Sequence, residues 1–78
     1  MSWTRKFGAA LHLKDGQQLA TLRDAADLYL ALPLYRRTVR WERAIGAIVV
    51  AGRSRATGLD MKAAHQSIAA ALRADGML

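Results

Sequence analysis

Arginine is the residue type whose number and spacing in this sequence most suggest chemistry. Six arginines lie between residues 36 and 55, and Glu42 is the only acid among them. They are Arg36, Arg37, Arg40, Arg43, Arg53 and Arg55. A guanidinium group donates hydrogen bonds in a planar fork that matches phosphate and carboxylate groups. Because several of these residues lie at the predicted start of a helix, where free N–H groups also attract anions, they form a candidate contact surface for an anion or a nucleic acid.

The same arginines also fit a purely structural role. Exposed cations at a helix N-terminus oppose the helix dipole by about 0.3–1 kcal/mol each. They can instead lie on a solvated face, or pair with Asp24 or Asp27 of the preceding helix. Tyr35, beside the cluster, has two roles open to it, since it can stack on a nucleic-acid base or close an edge of the core. The sequence leaves these alternatives open.

Residues suited to catalysis or metal binding are few. A protein zinc site usually takes three or four ligands, and His12 and His65 are the only histidines. Nucleophilic catalysis needs a hydroxyl or thiol beside a base, and no base is evident beside Ser2, Ser54 or Ser67. No glycine-rich phosphate loop with its lysine is present. We therefore expect no catalytic residue, no metal ligand, no cofactor and no enzymatic activity.

Two short strands are predicted at the N-terminus. Apolar residues alternate there with a period of two, which is typical of a half-buried strand. The positions expected to face the core are Phe7, Ala9, Leu11 and Leu13. Asp15-Gly16 follows as a strong hairpin turn signal, and residues 17–21 form the returning strand. A lone hairpin is marginal in water, so it must pack on the rest of the chain, and its free edge is open to pairing.

Three helices are predicted after the hairpin. Thr21 and Asp24 have the spacing of a capping box, as do Thr57 and Asp60, and Pro33 ends the first helix. The second helix runs from Tyr35 or Thr38 to residue 51, and the third from about residue 57 or 60 to 76. On the second helix the residues predicted to face the core are Trp41, Ile45, Ile48 and Val49. Its opposite face carries Arg36, Arg40, Arg43 and Ala47.

Composition bounds the class of protein. The chain has 78 residues and a net charge of +6, which predicts one domain spanning residues 1–78 and favours anionic partners. It has no cysteine, so disulfides and thiolate metal sites are excluded. The longest apolar run, residues 44–52, is much shorter than the roughly 20 residues of a membrane span. We expect a cytoplasmic protein without membrane contact, whose thin, alanine-rich core favours a homodimer.

Four features of the sequence resemble one known bacterial family. They are Trp3 before the first strand, a glycine turn at Gly16, the helix start TLRDAADL at residues 21–28, and the alanine-rich closing helix IAAALRADG at residues 68–76. In this order they are similar to the domain of unknown function 982 family, and the resemblance covers nearly the whole chain. It implies a short α+β protein and supplies no activity.

These observations predict an α+β domain in which an N-terminal β-hairpin is followed by three α-helices, in the order ββααα. The function expected is that of a non-enzymatic interaction or accessory module. The alternative is weak nucleic-acid or anion binding through the basic helix face from Arg36 to Arg43.

Overall fold

A two-stranded antiparallel hairpin followed by three α-helices makes up the fold, and the predicted ββααα order is confirmed. The computed structural model describes residues 2–78. Its elements are β1 (Lys6–His12), β2 (Gln18–Thr21), α1 (Leu22–Ala31), a short 3-10 turn (Leu34–Arg36), α2 (Val39–Ala51) and α3 (Gly58–Ala74). None of the helices in residues 2–78 has the length and apolar character needed to cross a membrane.

The hairpin turn forms where Asp15-Gly16 predicted it. Gly16 has a φ of +92°, a backbone conformation that residues with a Cβ atom rarely adopt. The Asp15 Oδ1 atom accepts a hydrogen bond from the Gln17 amide at 2.9 Å. The Leu13 amide donates to the Gln17 carbonyl at 2.8 Å, which closes the turn.

Strand β1 is irregular, and this irregularity corrects one prediction. Leu11 pairs with Leu19 and Lys6 with Thr21, with a register shift between these pairs. Phe7 and Leu11 are buried, as the alternation predicted, but Ala9 is exposed. Extra residues in one strand break the period of two, so a pattern read along the chain places Ala9 on the wrong face.

Capping boxes start α1 and α3, as the sequence predicted for both. The Thr21 hydroxyl accepts from the Asp24 amide at 3.2 Å, and the Asp24 carboxylate accepts from the Thr21 amide at 3.1 Å. Thr57 and Asp60 repeat this arrangement at the start of α3. Helix α1 ends at Ala31, immediately before Leu32-Pro33, because the residue before a proline is held in an extended conformation.

Helix α2 buries Trp41 and Ile48 as predicted, but its buried face is rotated from the predicted one toward Ala44 and Ala51. The buried residues are Trp41, Ala44, Ile48 and Ala51, whereas Ile45 is only partly buried and Val49 is 37% exposed. Helix α2 packs mainly against α3, whose buried face includes Ala64, Ala69 and Ala71. Small side chains let helix backbones approach closely, so the alanines point inward and two larger residues are displaced from the centre.

The core combines side chains from every strand and α-helix. Its largest fully buried members are Trp41, Leu22, Ile48, Ile68 and Leu72. The N-terminal segment is tied to this core by backbone hydrogen bonds, with the Ser2 amide donating to the Gly52 carbonyl at 2.8 Å and the Arg23 amide to the Trp3 carbonyl at 2.8 Å. The residues that precede β1 therefore lie against the N-terminal end of α1 and the C-terminal end of α2.

Two glycine-to-alanine substitutions should change stability in opposite directions. Gly16→Ala should lower the free energy of unfolding by about 1–2 kcal/mol, because a Cβ disfavours positive φ. Gly46→Ala should raise it by about 0.5–1 kcal/mol, because Gly46 lies within α2 and its added Cβ would meet nothing within 4 Å. Urea unfolding of both variants measures the two effects, and equal effects of one sign would contradict the assigned backbone conformations.

Candidate functional site

The six arginines predicted as one contact surface lie at two ends of α2. Arg36, Arg37, Arg40 and Arg43 lie at its N-terminal end, and Arg53 and Arg55 follow its C-terminal end. At a rise of 1.5 Å per residue, Arg40 and Arg53 are about 20 Å apart along the helix axis. The structure therefore brings four of the six arginines together and leaves two in the loop between α2 and α3.

Arg36 forms an ion pair with Asp75, whose carboxylate also accepts a hydrogen bond from a buried side chain. Its Nη2 atom lies 3.6 Å from Oδ2 of Asp75. The same oxygen accepts a hydrogen bond from the Trp41 indole Nε1 at 2.7 Å. Trp41 is 1% exposed, and a buried indole N–H needs an acceptor. Asp75 is the C-cap residue of α3, so this contact joins the 3-10 turn, α2 and α3.

Arg37 folds back onto the end of α1. Its Nη2 atom donates to the Leu30 carbonyl at 3.0 Å, and its guanidinium carbon lies 5.1 Å from the centre of the Tyr29 ring. A cation at the last carbonyls of a helix interacts favourably with the helix dipole. The Nε atom of Arg37 is buried without a hydrogen-bond partner. Arg37 therefore holds the connection between α1 and α2 in place.

The predicted alternative partners, Asp24 and Asp27, are engaged elsewhere. Asp24 completes the capping box of α1, and Asp27 lies 3.8 Å from Nε of Arg23. None of the six arginines pairs with either carboxylate within residues 2–78. The acid that faces the cluster is Asp75, at the far end of the chain, which sequence spacing alone cannot place there.

Arg40 and Arg43 remain available for contacts with other molecules. Both side chains are exposed, and neither has an ion pair or a side-chain hydrogen bond to any residue from 2 to 78. They stand three positions apart on α2, a spacing at which side chains are neighbours on a helix surface. Arg53 and Arg55 are likewise exposed, but on a loop away from this pair.

Four exposed apolar side chains lie in the segment of the chain that carries these arginines. We call this group the α1–α2 corner; it consists of Leu30, Leu34, Tyr35 and Val39. Their exposed fractions are 66%, 79%, 84% and 63%. Tyr35 therefore does not close an edge of the core, which excludes that alternative. The corner was not predicted from the sequence, because Leu34 and Tyr35 follow Pro33 in a short connection without a periodic pattern.

The corner is held on both sides by buried or bonded residues. Leu32, in its middle, is buried at 7% exposure. The Arg36 amide donates to the Pro33 carbonyl at 2.9 Å, and the Arg37 amide to the Leu34 carbonyl at 3.1 Å. With the Arg37 side chain on the Leu30 carbonyl, these contacts fix the backbone that carries the exposed apolar side chains.

The two histidines lie apart from this surface. His12 is exposed on β1. His65 packs edge-on against Phe7, with ring centres 5.5 Å apart, and its Nε2 lies 3.1 Å from the Ala9 carbonyl oxygen. Within residues 2–78, no group of three or more histidine, aspartate or glutamate side chains is placed to hold a metal ion. His65 thus connects the irregular part of β1 to α3.

Among known proteins, no family model, curated protein or solved structure matches the chain.

Replacing Asp75 should test the Trp41 contact. Asp75→Ala leaves the buried indole N–H without an acceptor and should lower the free energy of unfolding by about 1–3 kcal/mol. Asp75→Asn should cost less, because its amide oxygen still accepts the hydrogen bond. Arg36→Ala should cost at most about 1 kcal/mol, since that ion pair is partly exposed. Thermal and urea unfolding measure the order; an Asp75→Ala variant as stable as the native chain would contradict it.

Proposed function

We propose that this protein is a non-enzymatic interaction module that binds a partner protein through the α1–α2 corner. The observation that carries the proposal is the exposure of Leu30, Leu34, Tyr35 and Val39 within a ten-residue stretch. A monomeric surface commonly exposes single apolar side chains, whereas a group of them beside charged residues is typical of a binding surface. Tyrosine and arginine are also enriched at protein interfaces.

The energetics support the same proposal. Fully burying a leucine side chain contributes about 1.5–3 kcal/mol relative to leaving it in water. Leu34 is 79% exposed, so most of this stabilisation would be gained when a partner covers it. Leu59 is equally exposed at 78% but lies at the start of α3, away from the corner. Leu59 therefore provides a matched control for Leu34.

Partner capture should depend on the corner and not on Leu59. Quantitative mass spectrometry would compare the proteins captured by the native chain, Leu34→Ser and Leu59→Ser from a lysate of the cells that produce it. At least one partner should be reduced about tenfold with Leu34→Ser, because the lost apolar contact is worth roughly 1.4 kcal/mol or more. The Leu59→Ser variant should retain it. Identical capture by all three proteins would contradict the proposal.

Weak nucleic-acid or anion binding through the segment from Arg36 to Arg43 is the second candidate function. The observation that favours it is that Arg40 and Arg43 are exposed without an ion pair in residues 2–78. Tyr35, at 84% exposure, is free to stack on a base. Arg36 and Arg37 would contribute charge from positions that the fold already uses, and Arg53 and Arg55 would not join the same surface.

Nucleic-acid binding through this segment should depend on the position of the charges. Fluorescence anisotropy with labelled oligonucleotides at low salt would compare Arg40→Glu/Arg43→Glu with Arg53→Glu/Arg55→Glu. The two variants have the same net charge, so only the first should abolish binding. Binding should also weaken with salt, because neutralised phosphates release counterions. Equal loss in both variants would indicate non-specific attraction to a basic protein and would contradict this candidate function.

We also propose that the chain belongs to the domain of unknown function 982 family and acts in the bacterial cytoplasm. Support comes from the residues that carry the resemblance. Among them is TLRDAADL at residues 21–28, which begins with the capping box of α1. The sequence contains no cysteine, which accords with a reducing compartment.

A homodimer is a further proposal, supported by the small size of the core. Many of its buried residues are alanines, which bury little apolar area each. Light scattering should give a mass near twice the 8.5 kDa of one chain. A monodisperse monomer at millimolar concentration would contradict the dimer while leaving the corner as a surface for other proteins.

A further inference from the structure

We propose that the occupant of the α1–α2 corner is an acidic segment of another protein that also carries large apolar side chains. This inference rests on the proposed function and specifies its partner. The apolar side chains of that segment cover Leu34 and Tyr35, and its carboxylates pair with Arg40 and Arg43.

The apolar part of the corner requires apolar groups from the partner. Leu34 and Tyr35 are the most exposed large apolar residues within residues 2–78, at 79% and 84%. Leu30 and Val39 flank them at 66% and 63%. Because the hydrophobic contribution grows with the apolar area removed from water, a fully polar ligand would leave this surface unused.

The arginines beside the corner favour acidic groups on the partner. From residue 30 to residue 43 the chain carries four arginines and one acid, Glu42, which gives a local charge of +3. Arg36 and Arg37 are held by Asp75 and the Leu30 carbonyl. Arg40 and Arg43 are the pair without such partners in residues 2–78, and their Cβ atoms are about 5–6 Å apart at this helical spacing. Two carboxylates from neighbouring positions of one segment match that separation.

A second copy of this chain is a poor occupant of the same surface. In a two-fold interface both copies use the same patch, so the positive charge of Arg40 and Arg43 in one copy would face the equally positive patch of the other. Like charges across an interface oppose association. A homodimer would therefore use a different surface, and the corner would stay available in it.

Nucleic acid and membrane fit less well than an acidic segment. A phosphate backbone satisfies the arginines but offers little to Leu30, Leu34 and Val39, which project from three different elements. Interfacial membrane binding typically uses one continuous apolar face of an amphipathic helix. The corner instead combines side chains from the end of α1, the 3-10 turn and the first residue of α2.

Selection from a library of displayed random peptides tests the proposal. The full chain is the target, and peptides that bind a Leu34→Ser/Tyr35→Ser variant are removed. Enriched peptides should be acidic and carry at least two large apolar side chains. Anisotropy should show affinity about tenfold weaker for Arg40→Glu/Arg43→Glu, unchanged for Leu59→Ser and Arg53→Glu/Arg55→Glu, and reduced by salt. Circular dichroism shows whether each variant is folded.

The outcomes separate this inference from the proposed function. Peptides that depend on Leu34 and Tyr35 but show no acidic bias would overturn the acidic partner and leave the interaction surface standing. If no peptide is enriched once those that bind Leu34→Ser/Tyr35→Ser have been removed, both proposals would be overturned. Binding of phosphatidylglycerol vesicles or of labelled oligonucleotides that is lost with Leu34→Ser/Tyr35→Ser, in place of peptide binding, would overturn the inference in favour of that ligand.

Discussion

The hydrogen bond from the Trp41 indole to Asp75 is the interaction on which the rest of the structure depends. Trp41 is the largest fully buried side chain, and its one polar atom finds an acceptor 2.7 Å away at the end of α3. Burying a polar group without a partner is costly, so the position of Asp75 determines how the end of α3 sits against the start of α2. Arg36 contacts the same carboxylate, which attaches the 3-10 turn to this junction.

Several arginines have structural roles at the ends of helices. The Arg37 side chain donates to the Leu30 carbonyl at the end of α1, and Arg5 Nη1 donates to the Ala51 carbonyl at the end of α2 at 3.0 Å. Helix C-termini leave carbonyl groups unsatisfied and carry negative partial charge, so both contacts are favourable. Part of the +6 net charge therefore serves the fold. The arginines beside the corner that have no such structural contact within residues 2–78 are Arg40 and Arg43.

The sequence predicted the order of elements and most of their boundaries because those signals are local. The Asp15-Gly16 turn, both threonine–aspartate capping boxes and the stop at Pro33 each depend on residues only a few positions apart. The exposure of Ala9 and the inward alanines of α2 depend on contacts with distant elements. Sequence periodicity cannot specify these contacts.

The candidate site was only partly predictable for the same reason. Sequence spacing identified the arginines, but their division into two groups follows from the length of α2 and the loop after it. Arg36 and Asp75 are in contact although they lie 39 positions apart in the sequence. No local pattern indicates this contact. The corner was not predicted because Leu34 and Tyr35 belong to no periodic segment. Neither burial nor exposure could therefore be assigned to them from the sequence.

Arg37, Leu32 and the Asp75 junction should hold the α1–α2 corner as an ordered surface in the free protein. Backbone ¹⁵N relaxation of the unbound chain tests this claim most directly. We predict order parameters for residues 34–39 of about 0.85, equal to those of α2. Values below about 0.6 in this segment, with rigid helices on either side, would contradict it. The corner would then be a mobile connection and not a preformed binding surface.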